Sequence, residues 1–144
     1  MSNQAVNILL VEDDYLDIMN VERELKKINV MHDILVARNG REALNMLRGV
    51  GTTKISPAPS VILLDINMPK MNGLEFLAEL RREPEFSHIP VFIMTTSNEE
   101  TDRIAAQKLN VSGYIVKPLT FDSFENSHSS LDSFSLFIDL IKLK

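Results

Sequence analysis

The sequence predicts an α/β domain with a doubly wound parallel sheet. Three apolar runs, residues 6–11, 61–64 and 91–94, lack the polar alternation of a half-exposed strand and indicate strands buried on both faces. Two shorter segments, 32–38 and 113–116, indicate a second and a fifth strand. Amphipathic segments separate the strands. Buried strands that alternate with helices pair in parallel, with helices on both faces and right-handed crossovers.

The predicted helices carry local signals at their ends. Asn39 is an N-cap candidate and Gly49 a stop signal for one helix, Pro84 ends another, and Ser97 opens a capping box. Residues 49–60 are predicted to be a loop because they are rich in glycine and proline. The helical segments are 15–28, 39–48, 73–83 and 97–109, and a last segment begins at about 120. In the first helix the apolar positions are Leu16, Ile18, Val21, Leu25 and Ile28.

Composition narrows the class of protein. A chain of 144 residues suits one compact domain, and its net charge of −5 argues against nucleic acid as a direct partner. It has no cysteine, which excludes disulfides and thiolate metal sites. No apolar run is long enough to span a membrane, and the N-terminus lacks the features of a signal peptide. We therefore expect a cytoplasmic protein that binds no membrane.

Polar residues follow four of the five predicted strands. Parallel strands place their carboxyl ends at one edge of the sheet, where such folds bind ligands. A random scatter of polar residues would not reach that edge strand after strand. The residues are Glu12, Asp13 and Asp14 after the first strand, Asp65 after the third, Thr95 and Thr96 after the fourth, and Lys117 after the fifth.

This set of side chains indicates phosphoryl chemistry. Crowded carboxylates repel one another unless a cation lies among them. Oxygen ligands without His or Cys suit Mg²⁺, which commonly binds a phosphoryl group as well. A hydroxyl and an ammonium at the same edge could bind the other phosphoryl oxygens, and a carboxylate could act as nucleophile.

Four motifs give the chain a resemblance to a known family. They are ILLVEDD (8–14), LLDINMPKMNG (63–73), VFIMTTS (91–97) and GYIVKP (113–118). In order and spacing the chain resembles the receiver domain of two-component response regulators over roughly residues 6–120. The resemblance implies a flavodoxin-like (CheY-like) (βα)5 fold, whose five-stranded parallel sheet has the order 2-1-3-4-5.

The resemblance also assigns a phosphoacceptor and a metal site. Asp65 would accept a phosphoryl group from the phosphohistidine of a histidine kinase. Asp13, Asp65 and the backbone carbonyl of Asn67 would bind Mg²⁺, for which Mn²⁺ can substitute, and Glu12 would act through a metal-bound water. Since the family's acidic pair falls on Glu12 and Asp13, we interpret Asp14 as the cap of the following helix.

Further roles follow from the same resemblance. Thr95 would bond to a phosphoryl oxygen and shift on phosphorylation, and Lys117 would pair with the acyl phosphate. Tyr114 would be the aromatic switch residue that responds to Thr95. Asn67 and Ser97 occupy the two positions that tune self-dephosphorylation. The protein would thus be a phosphoacceptor signalling protein rather than an enzyme in the ordinary sense.

Three other interpretations of the acidic residues remain open. Asp65 taken alone could be a turn or helix cap. An aspartate-nucleophile phosphatase of the haloacid-dehalogenase class would need a second Asp two residues after its nucleophile on the first strand, and Glu12-Asp13-Asp14 lacks that spacing. A degenerate receiver used only for binding would not need every site position filled.

Three further sequence features suggest a narrower group. The long loop at 49–60, the TTS run and EPEFSHIPV (83–91) resemble the single-domain regulators that serve bacterial and cyanobacterial phytochromes. We expect residues 1–144 to be a single receiver domain without an output domain. Its output would then run through protein contacts.

The C-terminal segment 120–144 predicts a homodimer. It carries more apolar side chains than one outer helix of a small monomer buries, so we expect it to pack on a second copy, together with the fourth helix and fifth strand. The alternative is a kinked fifth helix that packs entirely on its own sheet. The mass of the full chain should rise with concentration, and that of a chain ending near Ser130 should not. Equal monomer masses for both chains would contradict the dimer.

Overall fold

The computed structural model describes residues 7–27, 33–66, 73–95 and 108–116. These residues form five strands and three helices. The elements in chain order are β1 (Asn7–Val11), α1 (Tyr15–Lys27), β2 (Asp33–Ala37), α2 (Gly40–Arg48), β3 (Val61–Asp65), α3 (Gly73–Arg82), β4 (Val91–Thr95) and β5 (Gly113–Val116). None of the helices in this part of the chain is long and apolar enough to cross a membrane.

The strands form one parallel sheet in the order β2-β1-β3-β4-β5, which confirms the predicted fold class. Adjacent residues of each central strand point to opposite faces, and both faces are covered. This explains why the strands are uninterrupted apolar runs. The α2–α3 face includes Leu9, Val11, Leu44, Leu47, Ile62, Leu64, Phe76, Leu77 and Leu80. The α1 face includes Ile8, Leu10, Ile18, Val21, Leu25, Leu63, Phe92 and Met94.

The predicted helix caps of α2 are confirmed. The side chain of Asn39 accepts a hydrogen bond from the backbone N–H of Glu42 at 2.8 Å, which satisfies one of the free donors of the first turn. Gly49 adopts a left-handed conformation with φ of 78° and donates its N–H to the carbonyl of Asn45.

Element bounds differ from the predictions in ways that matter for the site. β3 and β4 each continue one residue further than predicted, so that Asp65 and Thr95 are the last residues of strands rather than the first residues of loops. Leu16, one of the apolar positions of the predicted first helix, does not belong to the buried face of α1, because it is 73% exposed. At 100° per residue Leu16 cannot share a face with Ile18, which is buried.

The loop between α2 and β3 packs against the rest of the molecule. Ile55 is buried, and its N–H bonds to the carbonyl of Met46 in α2. Lys54 Nζ lies 2.6 Å from Glu85 Oε2 in the turn after α3. These contacts lie at the edge of the sheet where β3 begins, so the long loop leaves the opposite edge open.

The helix predicted at 97–109 lies outside the described residues except for its last two. The turn that follows is described, and Asn110 has φ of 59°, the left-handed conformation that commonly closes a helix. The segment at 120–144 also lies outside the described residues, so the dimer stays a prediction.

Candidate functional site

β1 places Glu12 in a fixed position at the edge of the sheet formed by the carboxyl ends of the strands (the carboxyl edge). Val11, the last residue of β1, pairs with Ala37 on one side and Leu64 on the other. The N–H of Glu12 then bonds to the carbonyl of Ala37 at 2.8 Å, so the β2 ladder continues one residue beyond β1. The side chain of Glu12 is fully buried.

β3 delivers Asp65 beside Glu12. Because Val11 is level with Leu64, the next residues along the two strands, Glu12 and Asp65, are also neighbours. On its other side Asp65 pairs with Met94 of β4. Asp65 is only 5% exposed, so a strand with neighbours on both sides fixes its position at the edge.

The two buried carboxylates meet a third at this edge. Oxygen atoms of Glu12, Asp13 and Asp65 all lie within 4.8 Å of one another, and Asp13 is exposed to solvent. Two like unit charges about 4 Å apart repel by roughly 4 kcal/mol at an effective dielectric constant of about 20. A donor set made only of carboxylate oxygens fits a hard divalent cation such as Mg²⁺ or Mn²⁺. The attraction of such a cation to each carboxylate would outweigh the repulsion between the carboxylates.

Asp14 has a different role from its two neighbours, as predicted. Its Oδ1 accepts hydrogen bonds from the N–H of Leu16 at 2.8 Å and of Asp17 at 3.4 Å. Asp14 is therefore the cap of α1. Its own N–H donates to Glu12 Oε2 at 3.1 Å, which ties the start of α1 to the buried carboxylate.

Gly73 fixes the other side of Asp65. Its N–H bonds to the carbonyl of Ile66 at 2.9 Å, so α3 begins directly against the end of β3. A Cβ atom at position 73 would lie 2.5 Å from the carbonyl oxygen of Asp65 and 2.7 Å from Cα of Ile66. Only glycine allows this approach, since any side chain here would displace the backbone that carries the Asp65 carboxylate.

The remaining predicted site residues belong to β4, β5 and the loops at this edge. Thr95 ends β4 and pairs with Val116, and its side chain lies outside the described part of the chain. Lys117 follows Val116, and Asn67 and Ser97 follow β3 and β4, but all three lie outside the described residues. Their roles stay predictions.

Tyr114 is placed on β5 by the structure. It pairs with Ile93 of β4, is half-buried, and packs against the hydrophobic cluster on the α2–α3 face. Thr95 lies two residues beyond Ile93 on β4, so Tyr114 and Thr95 lie near each other on two paired strands.

One surface feature next to the site was missed. Tyr15, Leu16 and Met19 at the start of α1 are large apolar side chains that are 62%, 73% and 42% exposed. The sequence held a signal for it, because helical geometry lets Ile18, Val21 and Leu25 face inward only if Leu16 faces outward.

Comparison with known proteins decides the family. The model of the response regulator receiver domain matches residues 8–127. The chain belongs to the response regulator receiver family. Among curated relatives, response regulator Rcp1 of Synechocystis sp. is 38% identical over 135 residues, covering 94% of this chain and 92% of Rcp1.

Solved structures agree with this assignment. A two-component response regulator from Legionella pneumophila is 42% identical with a TM-score of 0.78, covering 94% of this chain and 97% of that one. The Mn²⁺-bound form of Rcp1 is 37% identical with a TM-score of 0.75 over 91% of this chain and 94% of that one. The phosphorylated cyanobacterial phytochrome response regulator RcpA is 33% identical, with a TM-score of 0.74 over 94% and 92%.

Proposed function

We propose that this receiver domain accepts a phosphoryl group on Asp65 from the phosphohistidine of a histidine kinase, in a reaction that requires Mg²⁺ or Mn²⁺. The observation that carries the proposal is the meeting of Glu12, Asp13 and Asp65 within 4.8 Å at the carboxyl edge of the sheet. That edge is where folds of this class bind ligands. Phosphorylation would then shift the protein between two conformations that a partner distinguishes.

Asp65 would act as the nucleophile. A carboxylate oxygen attacks phosphorus, the bond from phosphorus to the histidine nitrogen breaks, and its electron pair stays on the imidazole. The product is an acyl phosphate on Asp65. Because phosphoryl transfer depends mainly on position and charge, a buried carboxylate at the end of a rigid strand is well suited to the role.

The acidic side chains would hold the cation. Asp13, Asp65 and the backbone carbonyl of Asn67 would bind Mg²⁺, and Glu12 would hold a metal-bound water. The bound cation supplies positive charge that balances the carboxylates and the phosphoryl oxygens. The relative solved with Mn²⁺ bound, Rcp1, supports this choice of ion.

Residues of β4 and β5 would complete the site and report its state. Thr95 would bond to a phosphoryl oxygen and Lys117 would pair with the acyl phosphate. Tyr114, half-buried beside β4, would change its packing when Thr95 moves. Asn67 and Ser97 would set the rate of dephosphorylation.

The partner we propose is a histidine kinase of the phytochrome type. Support comes from relatives described as phytochrome and bacteriophytochrome response regulators. The exposed apolar patch of Tyr15, Leu16 and Met19 begins one residue after Asp14 and thus borders the site. A kinase that brings its phosphohistidine to Asp65 would cover this patch, which accounts for apolar side chains left in solvent.

We also propose that residues 120–144 form a homodimer contact.

The first test is transfer of labelled phosphate. With Mg²⁺ and the phosphorylated kinase region of a bacteriophytochrome, the chain should gain acid-stable, base-labile phosphate, and Asp65→Asn should abolish it. Asp14→Asn is the matched control, because it removes the same charge at the same edge but keeps a capping oxygen. Label that survives Asp65→Asn would reject Asp65 as the acceptor.

The second test concerns the partner surface. Leu16→Glu should slow transfer from the kinase by roughly tenfold or more, as expected for loss of an apolar interface contact. It should leave labelling by acetyl phosphate unchanged, because a small donor needs no docking surface. Val50→Glu is the control, since Val50 is also an exposed apolar residue but follows α2 at the opposite edge of the sheet. Equal slowing by both variants, or with both donors, would exclude the patch as the docking surface.

A further inference from the structure

Arg81, in the last turn of α3, binds four backbone carbonyl groups. Its Nε donates to the carbonyl of Leu109 at 2.8 Å and its Nη2 to that of Asn110 at 3.0 Å. Its Nη1 donates to the carbonyls of Ser87 and Ile89, both at 2.9 Å. All four distances are those of well-formed hydrogen bonds.

The four carbonyls come from two chain segments with related positions. Ser87 and Ile89 lie in the turn that enters β4, and Leu109 and Asn110 lie in the turn that enters β5. Both turns are at the edge of the sheet opposite the carboxylates, since α3 starts at Gly73 beside Asp65 and returns to the other edge. One guanidinium thus joins the entries of two neighbouring strands.

The chemistry of this contact is specific to arginine. A guanidinium offers five N–H donors in a rigid fork, whereas a lysine ammonium offers three donors from one atom and cannot span four carbonyls of two segments. Burial lowers the pKa of Arg81, because desolvation disfavours the charged form. None of the ion pairs within the described residues involves Arg81, so carbonyl dipoles hold this charge.

The sheet itself holds β5 less firmly than it holds the central strands. β5 has only four residues and is the outermost strand on its side of the sheet. Among the described strands it pairs only with β4. β1 and β3, which carry the three carboxylates, each have a neighbour on both sides. The position of β5 at the site is therefore less constrained by the sheet than the position of the metal-binding carboxylates.

We infer that Arg81 is a positioning residue for phosphoryl transfer: it holds the entry of β5 against the entry of β4, and so sets where β5 presents its end at the site. The inference rests on the proposed function, in which Thr95 on β4, Tyr114 on β5 and Lys117, the residue after β5, have roles. The site would then have two halves that differ in their dependence on Arg81. The carboxylate half on β1 and β3 binds the cation without Arg81, and the β4–β5 half depends on it.

The test compares these halves in Arg81→Gln and Arg81→Lys, measured on the full chain. Mg²⁺ affinity by calorimetry should equal that of the wild type in both variants. The rate of labelling by acetyl phosphate at saturating Mg²⁺ should fall by about 10- to 100-fold in Arg81→Gln, the scale expected when a reacting group is displaced by an ångström or less. The labelling rate of Arg81→Lys should lie between those of the wild type and Arg81→Gln. If Arg81→Gln does not fold, Arg81→Lys is compared with the wild type instead.

Arg82→Gln is the matched control, because it removes the neighbouring arginine of the same turn, whose side chain is exposed. It should leave both quantities unchanged. A wild-type labelling rate in folded Arg81→Gln would overturn the inference. So would a parallel loss of Mg²⁺ affinity, since that would mean a general loss of structure.

Amide hydrogen exchange keeps this test independent of the proposed function. If the wild type takes no label on Asp65, the proposed function fails, and exchange then tests only the structural part of the inference, that Arg81 holds the entry of β5 against the entry of β4. Arg81→Gln should speed exchange at residues 87–89, at Val91 and at residues 109–114, and it should leave β1 and β3 protected. Unchanged exchange, or faster exchange throughout the sheet, would overturn it.

Discussion

Three carboxylates approach one another closely at the ends of β1 and β3, and the neighbouring strands hold them there. Glu12 and Asp65 are almost fully buried, and with Asp13 their oxygen atoms lie within 4.8 Å of one another. Such an arrangement persists only where the backbone on both sides is firmly held. Central strands with neighbours on both sides, apolar on both faces, supply that rigidity. The fold thus supplies the rigid backbone that a cation site built from these carboxylates would need.

Helix α3 links the two ends of the molecule. At its start Gly73 lies so close to the backbone of Asp65 that no side chain fits between them. At its end Arg81 binds the turns that enter β4 and β5. One helix therefore contacts the strand that carries the proposed nucleophile and the two strands proposed to sense its state. The exposed patch at the start of α1 lies at the same edge as the carboxylates, so recognition of a partner and phosphoryl transfer would share one surface.

Local caps could be predicted from residue type, and the sheet order could be predicted from the strand pattern and the family resemblance, but long-range side-chain contacts could not. Asn39, Gly49 and Asp14 act on backbone groups within a few residues, so residue type alone predicts their caps. Strand order and the meeting of Glu12 with Asp65 follow from the pattern of buried strands and from family resemblance. Arg81 escaped prediction because its acceptors are backbone carbonyls, which any residue provides, in turns 6 to 29 positions away. The exposure of Leu16 was not predicted, because the apolar positions of the first helix were considered without their angles around the helix axis.

If Glu12, Asp13 and Asp65 form one divalent-cation site, binding of the cation should stabilise the folded protein. The most direct test is the unfolding free energy of the protein with and without Mg²⁺, measured with a chemical denaturant. At a free Mg²⁺ concentration roughly 100 times the Kd, binding to the folded state alone should stabilise the wild type by about 2.7 kcal/mol. Asp13→Asn should lose most of this gain, and Asp33→Asn, which removes an exposed carboxylate at the opposite end of the sheet, should keep it. An equal gain in stability in both variants, or no gain in the wild type, would contradict a cation site formed by these three carboxylates.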